Sequence, residues 1–114
     1  MSPAVTAYLQ LGAAIVLEVA ATACLKQSAG ITRLIPALAA GLGYAASLWL
    51  LSQVLRVVPM GISYGIWSGV GIVLVSLVGF FLFGQKLDLP ACLGLGLIIA
   101  GVLVINFCSA SVPR

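Results

Sequence analysis

Apolar residues run along this chain in four long blocks, each separated from the next by a few polar, glycine or proline positions. The first block, about residues 4–25, reads AVTAYLQLGAAIVLEVAATACL. At 1.5 Å per residue it spans roughly 33 Å as a helix, enough to cross a bilayer core of about 30 Å. Lys26-Gln27-Ser28-Ala29-Gly30-Ile31-Thr32-Arg33 then breaks the pattern. The second block covers about 34–55, with Pro36 tolerated in a first helical turn. Arg56-Val57-Val58-Pro59 closes it, and the third block runs about 60–83. After the turn Gly84-Gln85-Lys86-Leu87-Asp88, the fourth block covers about 89–108 with Pro90 in its first turn. The spacing predicts an all-α integral membrane protein, one domain over residues 1–114 with four transmembrane helices.

Composition agrees with that reading. The chain is 63% hydrophobic and only 6% charged, whereas about a quarter of a soluble domain's residues carry charge. The net charge of +3 comes from five scattered basic residues, Lys26, Arg33, Arg56, Lys86 and Arg114. They form no cluster that would hold nucleic acid. The N-terminus lacks a basic region and a small-residue cleavage site, so the first helix is expected to be retained. Cys24, Cys92 and Cys108 show no CxxC spacing, and the chain has no histidine, so no metal site or cofactor is expected. The connections are too short for a catalytic head group, and no phosphate loop or nucleophile with a base is present. The chain reads as something other than an enzyme, and any work it does must draw on a gradient.

Glu18 changes the picture most. It lies inside the first apolar block, two turns from Lys26, and the other acid, Asp88, lies in a loop. An acidic residue near the centre of a membrane helix costs roughly 2.5–3.5 kcal/mol on insertion scales, which makes it a candidate functional site. The competing reading is a carboxylate kept protonated or paired for structural reasons. Ala14, Ala21 and Thr22 share Glu18's face at i−4, i+3 and i+4, and their small size is expected to leave room for a bulky ligand.

The third block adds aromatic and glycine residues. Tyr64 and Trp67 are three apart and share a face that Gly71 extends. Gly69 and Gly71 weaken the helix where a bend could be absorbed. Tyr44 sits at similar depth on the second block. A carboxylate with several aromatic faces suits an organic cation, since a ring attracts a desolvated cation by about 2 kcal/mol at best. Interfacial belts are the other common use of Tyr and Trp in membranes. Because a carboxylate withdrawn from water favours its neutral form, a proton and a cation would compete for Glu18. A site open to one side at a time would then exchange protons for cations.

Four helices make a bundle too thin to enclose a hydrated site, so a homo-oligomer is expected. Gly94 and Gly101, a heptad apart on the fourth block with Gly96 and Ala100 between them, offer small residues for close helix approach. Packing within one subunit is the alternative use. Lys26, Arg33 and Lys86 fall on one side of the membrane, against Arg56, Arg114 and the terminal amine on the other. So small a bias permits insertion both ways and an antiparallel dimer, the alternative being one orientation set by the first loop.

Three stretches carry a resemblance: Trp67-Ser68-Gly69-Val70-Gly71-Ile72-Val73-Leu74, Gly84-Gln85-Lys86-Leu87-Asp88-Leu89-Pro90-Ala91 and Ala100-Gly101-Val102-Leu103-Val104-Ile105-Asn106. With Glu18 in place, the chain resembles the small multidrug resistance (SMR) family over nearly its whole length. The resemblance implies an eight-helix antiparallel, dual-topology homodimer in the bacterial inner membrane. It would export quaternary ammonium and lipophilic aromatic cations by proton antiport at Glu18, a role associated with antibiotic resistance. It assigns Trp67, Tyr64, Tyr44, Ser47, Leu11, Ala14 and Thr22 to the substrate chamber, Gly69 and Gly71 to a kink, and Gly94 and Gly101 to dimerisation. A second branch of the family exports guanidinium-type metabolites and typically has Trp three residues after the acid. Ala21 occupies that position here, which favours the multidrug branch. A rotary-ring subunit is disfavoured, since those are usually two-helix hairpins with the acid on the second helix. A non-transporting partner subunit would leave Glu18 indifferent to added cations.

Overall fold

Local chemistry fixes one end each of three of the helices. A computed structural model describes residues 2–112, so Met1, Pro113 and Arg114, the last of these counted above in the charge balance, lie outside the described residues. Helix α1 spans Pro3–Gln27; Ser2 caps it by accepting from the Val5 N–H at 3.2 Å, and Pro3 suits the first turn. The chain leaves α1 through Ser28, whose hydroxyl donates to Leu25 O (2.6 Å) and accepts from the Ile31 N–H (3.0 Å). That pair of bonds holds Ile31 at φ +65°, a conformation a β-branched residue rarely adopts.

Helix α2 covers Leu34–Val54 and α3 covers Met60–Phe83. Gly84 ends α3 in the left-handed region, φ +64°, and lets the Gln85 N–H return to Gly79 O at 3.0 Å. Helix α4 covers Leu89–Cys108, and Asp88 is its N-cap, accepting from the Ala91 N–H at 3.0 Å. Among the described residues, all four helices are long and apolar enough to cross a membrane. The chain is a multi-pass, all-α membrane protein.

Packing runs as a row, α2 on α1, α1 on α3 and α3 on α4. Small residues set the closest approach. A side-chain carbon on Gly43 of α2 would lie 2.8 Å from Ala21 Cβ, so these two helices meet as tightly as their backbones allow. Ala7, Leu11, Ile15 and Val19 of α1 fill the core with Leu51, Val54, Val58 and Ile66. The subunit is a slab of 44 × 35 × 20 Å. Helix α4 contributes no buried residue, and Leu93, Leu97 and Phe107 stand open along it. A soluble monomer rarely exposes so continuous an apolar face.

Candidate functional site

Glu18 is held at mid-helix on α1, where α2 and α3 flank it, and it is only partly buried. Thr22, one turn on, donates its hydroxyl to Glu18 O (2.9 Å) and to the carboxylate Oε1 (3.1 Å). The same hydroxyl lies 2.7 Å from the Tyr44 hydroxyl of α2. A threonine has one proton to give, so when it donates to Glu18 it must accept from Tyr44. The result is a short chain of hydrogen bonds, Tyr44 to Thr22 to Glu18, tying α2 to the carboxylate. Among the described residues no cation pairs with Glu18.

The third wall is α3. A side-chain carbon at Gly71 would sit 3.8 Å from Glu18 Oε2 and 3.7 Å from Trp67 Cδ1. The bare backbone there leaves a cleft of about 260 Å³ bounded by Glu18, Thr22, Trp67, Ser68, Gly71, Ile72, Val75 and Ser76. One carboxylate, one indole and three hydroxyls on otherwise apolar walls can hold an organic cation: charge against Glu18, flat surface against Trp67. Among the described residues no cluster of metal-ligating side chains exists, and Cys24, Cys92 and Cys108 are free thiols.

The residues singled out from sequence separate into groups. Glu18, Thr22, Trp67 and Gly71 meet at the cleft, and Tyr44 joins through Thr22. Tyr64, one turn before Trp67 on α3, is half exposed and outside the cleft wall. Ser47 is buried and donates to Tyr44 O of its own helix at 2.9 Å. Leu11 and Ala14 are buried in the subunit interior, away from the cleft. Ala21 does not leave room beside the carboxylate as its size suggested; that methyl group is packed against Gly43. Gly69 is buried under Val102 of α4, where a side-chain carbon would overlap Val102 Cγ2, and α3 remains helical through both Gly69 and Gly71. Gly94 and Gly101 face open space and are not part of the cleft lining. Ser68, Ile72, Val75 and Ser76 were missed; their i, i+4, i+7, i+8 spacing, with two hydroxyls in an apolar span, was the signal available.

Comparison with known proteins gives a consistent answer. A family model described as Small Multidrug Resistance protein matches residues 6–98. The multidrug transporter EmrE of Escherichia coli is 55% identical over 107 residues, covering 94% of this chain and 97% of that protein. The multidrug transporter PA4990 of Pseudomonas aeruginosa is 53% identical, covering 91% of this chain and 94% of its own length. The quaternary ammonium compound-resistance protein QacE of Escherichia coli is 44% identical, covering 90% and 93%. With its four apolar helices and a family match running from the first helix into the fourth, the chain belongs to the small multidrug resistance family of membrane proteins.

Proposed function

We propose that this chain is a multidrug exporter, moving quaternary ammonium and lipophilic aromatic cations out of a bacterial cell across its inner membrane in exchange for protons. The observation that carries the reading is Glu18, an acid with no cationic partner among the described residues, facing a cleft that Trp67 and Thr22 share. Relatives named as multidrug transporters and as a quaternary ammonium resistance protein support the substrate class.

The mechanism rests on competition. A carboxylate in a largely apolar cleft has two ways to lose its net charge: it binds a proton, or it pairs with a cation. Binding one expels the other, so alternating exposure of the cleft to the two sides couples proton entry to cation exit. The bare outer face of α4 and the thinness of the slab support a homodimer, in which a second copy covers what one subunit leaves open. Gly94 and Gly101, with nothing against them inside the subunit, are then the close-approach positions of that interface. The near balance of cations at the two ends supports an antiparallel arrangement.

The test is transport in proteoliposomes with an inward proton gradient. Ethidium or tetraphenylphosphonium should be driven against its gradient by the wild-type protein and not by Glu18→Gln; movement that survives the substitution ends the proposal. Small guanidinium ions in the same assay should be poor substrates, and a preference for them over aromatic cations would move the chain to the guanidinium branch.

A further inference from the structure

A second, smaller cavity adjoins the Glu18 cleft. It encloses about 60 Å³ and shares Thr22 and Val75 with the larger cleft, continuing toward the ends of α1 and α3 where Lys26, Phe83 and Gln85 line it. The Lys26 ammonium sits over the Phe83 ring, 5.5 Å from its centroid, within range of a cation–π attraction. Gln85 is fixed beside it: its N–H bonds Gly79 O at 3.0 Å, and its side-chain amide occupies the space a side chain at position 79 would need. Among the described residues no acid pairs with Lys26. The chain contains two acids; Glu18 is in the cleft, and Asp88 caps α4.

Glu18, Thr22 and Lys26 follow one another at four-residue intervals on one face of α1, so the backbone positions of Glu18 and Lys26 lie roughly 12 Å apart along the axis, with Lys26 in the lining of the adjoining cavity. A fixed positive charge at that distance opposes any cation seated at Glu18, and the opposition grows in proportion to the cation's charge. With an effective dielectric constant of about 20–40, the factor is about three- to tenfold in affinity per unit of ligand charge. Building on the exporter reading, we propose that Lys26, seated on Phe83, is a charge filter that lowers the Glu18 site's affinity for dications more than for monocations.

The experiment measures binding of tetraphenylphosphonium, a monocation, and methyl viologen, a dication, to the purified full-length protein at one pH and ionic strength. Lys26→Gln and Lys26→Met should each improve methyl viologen binding about three- to tenfold more than tetraphenylphosphonium binding. Lys26→Arg, which keeps the charge, should retain the wild-type ratio, and Phe83→Leu, which removes the seat, should fall between. An unchanged ratio in both neutral variants, with tetraphenylphosphonium still bound, overturns the filter and leaves the exporter reading standing. Failure of the wild-type protein to bind tetraphenylphosphonium, or binding untouched by Glu18→Gln, overturns the exporter reading itself.

Discussion

Thr22 does more than its size suggests. One hydroxyl serves the Glu18 carbonyl, the carboxylate and the Tyr44 hydroxyl at distances of 2.9, 3.1 and 2.7 Å. Replacing it with valine keeps the volume and removes every one of those bonds. A hydrogen bond to a charged group contributes about 1.5–3 kcal/mol when intact, so Thr22→Val should weaken cation binding by roughly tenfold or more. Thr22→Ser should restore most of it, and calorimetric titration with tetraphenylphosphonium measures both. Trp67→Ala should lose aromatic cations while the carboxylate still takes up and releases protons, which a pH-indicator titration follows separately. Glu18 and Trp67 stand out in the sequence because a charge inside an apolar run and an indole two turns deep violate the pattern around them. A helical face drawn from the sequence offers Ala21 and Ala14 as space for a ligand. What covers that face cannot be drawn so: here Gly43 sits against Ala21, and both alanines serve packing inside the subunit.

Between elements, glycines with the same chemistry sit in opposite surroundings, and the difference is testable. Gly69 lies directly beneath Val102, so Gly69→Ala forces α3 and α4 apart or displaces the valine, an overpacking cost of about 1–3 kcal/mol. The combined change Gly69→Ala with Val102→Ala should recover much of that stability, read as the midpoint of unfolding in detergent. Gly94 and Gly101 touch nothing within the subunit. Leucine at either should therefore leave helical content unchanged and abolish the proposed dimer, which chemical cross-linking in membranes detects. The four blocks themselves were legible because polar, glycine or proline positions separate them, and Ser2, Gly84 and Asp88 hold one terminus each of α1, α3 and α4. The row order α2–α1–α3–α4 was not legible, because helices apolar on nearly every side give no stripe to indicate which neighbour each prefers.

For the whole molecule, the question is how a slab 20 Å thick with an uncovered α4 completes its site. The ends of α1 and α3 lie together, as the contact of Lys26 with Phe83 requires, so Lys26, Arg33 and Lys86 share one membrane face while Arg56 lies at the other. Arg56 is thus the only described basic side chain opposing three, and orientation in membranes follows such short-loop differences. Arg56→Gln should bias insertion so that the three-cation face stays in the cytoplasm, and cells carrying it alone should lose ethidium resistance for want of oppositely inserted partners. Arg33→Gln with Lys86→Gln should impose the reverse bias and fail in the same way. Expressed together, the two should assemble and restore resistance, since each supplies the orientation the other lacks. Protease accessibility of a tag at the C-terminus reports orientation independently of activity. Full resistance from a population shown to be inserted in one direction only would exclude the antiparallel dimer, while leaving the Glu18 cleft and its competition intact.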